Sequence, residues 1–187
     1  MVMLDRRDAV RVLLQNRDGW LVVTGLGAPT YDVASIGDDA RNFYLWGAMG
    51  GAAMMGLGLA LAQPGHKVLV VTGDGEMLMG LGSLATMALE RPANLAIVVL
   101  DNAAYGETGM QRSHTFTANL AGIARAAGIP AALEVADEAG LRDLARRLFA
   151  MPGPLFASIR VAPTEHPRVL PLRDGAELKR RFRAAVG

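Results

Sequence analysis

Apolar and polar residues alternate along this chain with two different periods. Residues 5–15 carry Val10, Leu13 and Leu14 on one helical face, which predicts an amphipathic helix. Residues 20–24 read as a strand that runs out at Gly25-Leu26-Gly27-Ala28-Pro29. A glycine- and alanine-rich helix is expected over 52–63, stopped by Pro64-Gly65. A strand over 68–72 follows, then a helix over 77–89 stopped by Glu90-Arg91-Pro92. Residues 95–100 are continuously apolar and predict a buried strand, with a loop from there to about residue 115. Residues 117–127 read as a helix ending at Gly128. Strand, helix and strand are expected over 131–135, 138–150 and 155–161, and a basic helix over 175–185. No repeat, low-complexity tract or linker interrupts the series, so residues 1–187 are expected to form one domain.

Repeated strand–helix units predict an α/β fold, a doubly wound parallel sheet with helices on both faces. Ligands in such sheets bind beyond the carboxyl ends of the strands. The chemistry of this chain is therefore expected where its strands end.

Composition narrows the class. Of the 187 residues, 51% are hydrophobic, which favours a packed core over disorder. Nineteen basic against eighteen acidic residues leave a net charge of +1, no footprint for nucleic acid or a membrane surface. The absence of cysteine excludes disulfides and cysteine-ligated zinc or iron–sulfur centres. The first residues, Met1 to Asp8, hold no apolar leader region, and the apolar stretch 48–62 is short and glycine-rich for a membrane span. A cytoplasmic protein is expected.

Two strand ends carry the candidate chemistry. Gly73-Asp74-Gly75 follows the apolar run Val68-Leu69-Val70-Val71, and Asn102 follows the run ending at Leu100. A carboxylate and a carboxamide are hard oxygen donors suited to Mg²⁺ or Ca²⁺. Glycines beside them allow backbone N–H groups to approach an anion. Gly-Asp-Gly by itself is also an ordinary turn; the spaced Asn and the two preceding strands give the metal-bridged diphosphate reading its weight. Gly25 and Gly27, at a third strand end, are candidates for the same anion, with a plain strand-to-helix turn as the alternative. The Gly56-x-Gly58 and Gly80-x-Gly82 pairs lie inside expected helices and do not continue to a dinucleotide fingerprint, so they are read as helix-packing glycines.

These residues resemble the thiamine-diphosphate motif, a GDG triplet followed by a spaced Asn. The resemblance implies that Asp74, Asn102 and the carbonyl of Ala104 hold Mg²⁺, with Gly73, Gly75, Glu76, Tyr105 and Gly106 at the diphosphate. Trp46-Gly47-Ala48-Met49-Gly50-Gly51 is similar to the Gly-Ser-hydrophobe-Gly element of thiamine-diphosphate decarboxylases. Met49 would then wedge between the two cofactor rings, and the Gly47 carbonyl would accept from the aminopyrimidine. Met54 and Met55 are read as core filler. The stretch Tyr105-Gly106-Glu107-Thr108-Gly109-Met110-Gln111 resembles the corresponding loop of sulfopyruvate and phosphonopyruvate decarboxylases; it continues as Arg112-Ser113-His114 where that family suggests a Pro-Thr type sequence.

The resemblance covers most of residues 20–160. It implies non-oxidative decarboxylation of a short 2-oxoacid to an aldehyde and CO₂, in a hetero-oligomer. A pyrimidine-binding, alpha-type subunit would supply the glutamate that activates the cofactor, which no position here matches. Glu107 and His114 are the candidate catalytic side chains of this chain, and Arg112 the candidate for an anionic substrate group. His66 and His166 are read as structural. The rival readings are half of a carboligase, transketolase-like enzyme or 2-oxoacid oxidoreductase, and a non-catalytic cofactor-binding subunit.

Overall fold

The Asp5 carboxylate accepts from the backbone N–H groups of Arg7 and Asp8 and starts α1 (Arg6–Leu14). The computed structural model describes residues 3–187, apart from the Phe149 side chain; the expectation about the first residues also touches Met1 and Val2, which lie outside the described residues. β1 (Leu21–Thr24) leads into α2 (Ala28–Ile36), β2 (Asn42–Tyr44) and α3 (Ala52–Ala62). β3 (Val68–Gly73), α4 (Asp74–Met79), α5 (Ser83–Glu90) and β4 (Leu95–Asp101) follow. A small hairpin, β5 (Ala104–Tyr105) with β6 (Gln111–Arg112), precedes α6 (Leu120–Ala126). β7 (Ala131–Val135), α7 (Glu138–Ala150), β8 (Leu155–Arg160) and α8 (Gly175–Val186) complete the order.

Six strands form one parallel sheet in the order β2-β1-β3-β4-β8-β7, the doubly wound arrangement expected from the alternating pattern. Central β4 is buried at every position, as its apolar run predicts. The period of two divides the strand residues between two cores. Val22, Leu69, Val71, Val98 and Ile159 face α1, α2 and α7. Leu21, Val23, Val70, Ile97 and Val99 face α3, α5 and α6. α8 lies against edge strand β2, where the Phe43 and Phe182 rings meet edge-on at 5.4 Å and Arg181 pairs with Asp38.

Three expectations are corrected. The helix expected over 77–89 is two helices, because the chain breaks at Gly80: a Cβ there would lie 2.3 Å from the Gly50 carbonyl oxygen. Residues 25–51 add α2 and β2, which the sequence reading passed over; α2 is too weakly amphipathic and β2 too short to announce themselves. Met54 and Met55 are exposed at 43% and 37%, so they lie on the outer face of α3 and not in the core.

Gly56 does bring its helix close to the sheet, as expected. A Cβ at that position would sit 2.2 Å from Val70 Cγ2. Gly56→Ala is therefore expected to cost about 1–3 kcal/mol through overpacking, despite alanine's better helix propensity. A lowered urea midpoint at unchanged slope would show it; an unchanged midpoint would mean that α3 shifts freely off β3.

Candidate functional site

The chain leaves β1 toward β2 on one side, while β3 lies on the other, so a crevice opens at the carboxyl ends of β1 and β3. A cavity of about 310 Å³ lies there. Asp74, Gly73, Gly75, Asn102, Ala104, Tyr105, Gly106, Glu107 and Met49 all line it. Residues from three strand ends and the loop before α3 thus meet around one space, as the spacing of the motifs predicts.

Asp74 opens α4 and is 3% exposed. Burial raises its pKa, and the Asp101 charge adds to the rise, while hydroxyl hydrogen bonds from Ser113 and Thr115 oppose it. Both hydroxyls donate to the same oxygen, Oδ2, Thr115 at 3.1 Å. Thr115 Oγ1 is also 2.7 Å from Asp101 Oδ1 and 2.8 Å from Ser113 Oγ. Two hydroxyls carry two protons, too few to satisfy every one of these contacts at once. Arg160 pairs with Asp101 at 3.0 Å, but among the described residues no basic side chain pairs with Asp74. A buried carboxylate short of positive charge suits a cation.

Asn102 supplies the second oxygen. Its Oδ1 accepts from the Ala104 N–H at 3.0 Å, and Asp101 Oδ1 accepts from the Ala103 N–H at 3.0 Å. These short turns hold Ala103 at φ 55°, a left-handed conformation unusual for alanine. They turn the backbone so that Asn102 and Ala104 line the same cavity as Asp74. An all-oxygen donor set of carboxylate, carboxamide and carbonyl fits Mg²⁺. Accordingly, no group of three or more His, Cys, Asp or Glu side chains suited to a metal exists among the described residues.

Glu76 has a different role from the expected one. Its buried carboxylate accepts from the Leu26 N–H at 2.8 Å, the Thr72 hydroxyl at 2.9 Å and the Ala52 N–H at 3.3 Å. Burial raises its pKa, and these bonds, with one from the Gly50 N–H, hold it down. A carboxylate offers a diphosphate no donor. It ties the loop after β1, the start of α3 and the end of β3 to one point. Gly25 is glycine for this reason: a Cβ there would lie 1.6 Å from Glu76 Oε2. Gly25, Gly27 and Gly47 do not themselves line the cavity; Leu26 and Ala28 do so for the β1 loop.

Met49 is 40% exposed, and a Cβ on Gly75 would lie 3.6 Å from its Cε and 2.6 Å from the Tyr105 ring. The loop residues Thr108 and Gln111 bond each other, Oγ1 to Oε1 at 2.8 Å and Nε2 to the Thr108 carbonyl at 2.7 Å. They close the β5–β6 hairpin.

Two further expectations change. Arg112 does not line the cavity: its guanidinium stacks 3.6 Å over the exposed Phe116 ring. His114 also stands outside it and reaches it only through Tyr105, whose hydroxyl lies 2.8 Å from His114 Nδ1. Sequence reasoning missed Ser113 and Thr115. Their signal was present in Ser113-His114-Thr115, two hydroxyls at alternate positions just where the loop departs from the family pattern. It also missed Arg6, Tyr31, His166 and Arg168, which line the cavity from α1, α2 and the segment after β8. His166, read as structural, bonds Asp5 at 2.7 Å. No helix among the described residues is long and apolar enough to cross a membrane.

The fold and site together define a doubly wound α/β domain whose switch-point cavity is lined by a buried carboxylate, a carboxamide and a glycine turn. The chain belongs to the family of thiamine pyrophosphate enzymes, matching their C-terminal TPP binding domain over residues 25–159. It is 39% identical over 162 residues to the sulfopyruvate decarboxylase subunit beta of Methanothermobacter thermautotrophicus, covering 87% of this chain and 84% of that one. It is 38% identical over 170 residues to the phosphonopyruvate decarboxylase of Streptomyces viridochromogenes, but spans only 42% of that protein while 88% of this chain is matched. The thiamine diphosphate-dependent 4-hydroxybenzoylformate decarboxylase of Rhodococcus jostii RHA1 shares the fold, with a TM-score of 0.73 at 17% identity over 89% of this chain and 34% of that one.

Proposed function

We propose that this chain is a single diphosphate-type domain, the thiamine-diphosphate- and Mg²⁺-binding subunit of a heteromeric decarboxylase. Its substrate would be a short 2-oxoacid with a second acidic group, of the sulfopyruvate or phosphonopyruvate kind, converted to an aldehyde and CO₂. One observation carries the reading: Asp74, Asn102, Ala104 and Met49 line a single cavity, and Asp74 is buried there without a cationic partner among the described residues.

In this reading Asp74, Asn102 and the Ala104 carbonyl would hold the cation, whose charge would offset that of the diphosphate. Ser113 and Thr115 fix the Asp74 carboxylate through Oδ2. Glu76 holds the β1 loop and the Met49 loop in register with the metal turn. Met49, set on Gly75 and beside Tyr105, would support the cofactor rings and position them for reaction. Bound thiamine diphosphate supplies an acceptor for the electron pair left when CO₂ departs. No catalytic step is routed through Glu107 or His114: Glu107 lies against Gly27 and Arg168, and His114 is outside the cavity.

The partner follows from two features. Glu76 is committed to backbone N–H groups, and Glu107 lies against Gly27 in the β1 loop, so neither is placed to serve the aminopyrimidine beside Met49. Met49, Met54, Met55, Leu61 and Met79 are exposed on and around α3. An apolar surface of this kind beside the site fits a pyrimidine-binding chain that closes the cavity and brings its glutamate. The subunit naming of the Methanothermobacter relative supports the split arrangement.

The purified chain is therefore expected to show little or no turnover of 2-oxoacids. A co-expressed pyrimidine-domain chain should restore it, with aldehyde as the product. Equal turnover by the chain alone would sink the split-enzyme reading, and acyloin as the main product would reassign the reaction to a carboligase.

A further inference from the structure

The cavity is asymmetric in charge. On the Met49 side, over the face that α3 and α5 cover, no lysine or arginine lines it. Its lining arginines, Arg6 and Arg168, stand on the opposite side, over the face covered by α1 and α2. Asp74 and Asn102 lie between, at the ends of β3 and β4. A ligand whose rings rest on Met49 and whose first phosphate meets the cation at Asp74 would carry its outermost phosphate toward these arginines.

The two arginines are differently engaged. Arg6 is buried and bound: its Nε donates to Asp32 Oδ2 at 2.6 Å, and Nη1 donates to the Thr164 carbonyl. Arg168 is loosely held. Its side chain is 63% exposed, its guanidinium lies 5.7 Å over the Tyr31 ring, and its one ion pair is a 3.4 Å contact with Glu107. That Glu107 carboxylate rests against the glycine loop of β1, with Oε1 3.1 Å from where a Gly27 Cβ would stand. A carboxylate thus occupies the ground between Arg168 and the β1 loop where an anionic ligand would pair.

The segment carrying Arg168 has no regular secondary structure from residue 162 to 174 and is pinned to α1 just before that residue. Arg6 and Arg7 donate to the carbonyls of Thr164 and Pro167, and His166 bonds Asp5. These ties fix where Arg168 leaves the backbone while its guanidinium stays able to change partner.

We propose that Arg168 is a ligand for the terminal phosphate of the cofactor and that Glu107 holds its place until the phosphate displaces it. The inference rests on the thiamine-diphosphate reading of the cavity. The exchange trades a carboxylate for a doubly charged phosphate, which the planar guanidinium binds through paired N–H groups. Glu107 is accordingly a competitor for the site, and its negative charge opposes binding.

Calorimetry on this chain in complex with its co-expressed pyrimidine-domain partner, with Mg²⁺, tests this, using thiamine diphosphate, thiamine monophosphate and inorganic pyrophosphate as probes. Arg168→Ala is expected to weaken thiamine diphosphate and pyrophosphate roughly 10- to 100-fold, the range of one charge-assisted contact. Thiamine monophosphate, which lacks the outer phosphate, should change by less than about twofold, within the scatter of a lost surface contact. Arg168→Lys should recover part of the loss, and Glu107→Gln should tighten thiamine diphosphate. An unchanged melting temperature for Arg168→Ala would confirm that the exposed side chain is not a folding element. Equal losses for diphosphate and monophosphate, no loss for either, or weaker binding in Glu107→Gln would overturn the proposal. A separate result would overturn the reading beneath it: a wild-type complex that binds neither thiamine diphosphate nor pyrophosphate with Mg²⁺.

Discussion

Asp74→Asn is expected to abolish Mg²⁺-dependent cofactor binding while leaving the ligand-free chain at least as stable as the wild type. Both halves come from the same burial. With cofactor present, the carboxylate is the charged donor of the cation site, and removing one partner of a buried charge pair costs about 3–5 kcal/mol. Affinity should fall at least about a hundredfold. Without cofactor, Asp74 is a buried charge beside Asp101, and Asn keeps an oxygen for Ser113 and Thr115 while losing the charge.

The pH dependence carries the sign. The folded chain holds the Asp74 proton more tightly than the ordinary value of 3.8, because of burial and then Asp101. The favourable contribution is full below that value and is lost as pH rises through the raised one. Glu76, raised by burial from 4.5, acts in the same direction. Thermal unfolding of the ligand-free protein should therefore show wild type losing stability as pH rises above the ordinary carboxylate values, and Asp74→Asn losing less. Added Mg²⁺ should raise the wild-type melting temperature most at neutral pH and leave the variant's unchanged. A variant that melts far below wild type at neutral pH would show that Asp74 is a structural anion and not a site held ready for a cation.

Gly25→Ala is expected to have the largest effect on stability. The added methyl would meet Glu76 Oε2 at 1.6 Å, and that carboxylate accepts from Leu26, Ala52 and Thr72. Overpacking costs about 1–3 kcal/mol, and a displaced hydrogen bond to a charged group about 1.5–3 kcal/mol. The sum, about 2.5–6 kcal/mol if one bond is lost, is a large part of a typical domain stability of roughly 5–15 kcal/mol. Denaturant unfolding of Gly25→Ala, Glu76→Ala and the double variant would measure it. The double variant should lose far less than the sum of the singles, since the methyl takes space the carboxylate has left. Full additivity would mean that Gly25 is glycine for another reason.

These two residues also show what could be read in advance. Asp74 was legible because its chemistry is local: a strand, a glycine on each side, and an Asn at the next strand end. Gly25 was legible as a glycine at a strand end but not for its cause. It answers to Glu76, a carboxylate contributed from another strand–helix turn. Glu76 itself was placed at the diphosphate turn by sequence proximity, whereas its oxygens face backbone N–H groups from two other segments.

The amino-acid sequence by itself determined the alternation of strands and helices, the parallel sheet and the strand ends where the site lies. Apolar periodicity and glycine–proline punctuation act over neighbouring residues, so these survive without knowledge of the fold. It also pointed to the candidate oxygen donors: Asp74 and Asn102 follow directly on their strands, and the family resemblance added the Ala104 carbonyl. Tertiary structure alone decided which distant groups share the cavity. Arg6, His166 and Arg168 join it from opposite ends of the chain, because α1 and the segment after β8 are tied together just past the carboxyl end of β8. It likewise decided that Arg112, adjacent to the loop in sequence, turns out to Phe116, and that the helix expected after Asp74 breaks where Gly80 meets Gly50. Periodicity records which face of an element is buried; it does not record what buries it, and the charge, close contacts and partners of this site depend on the latter.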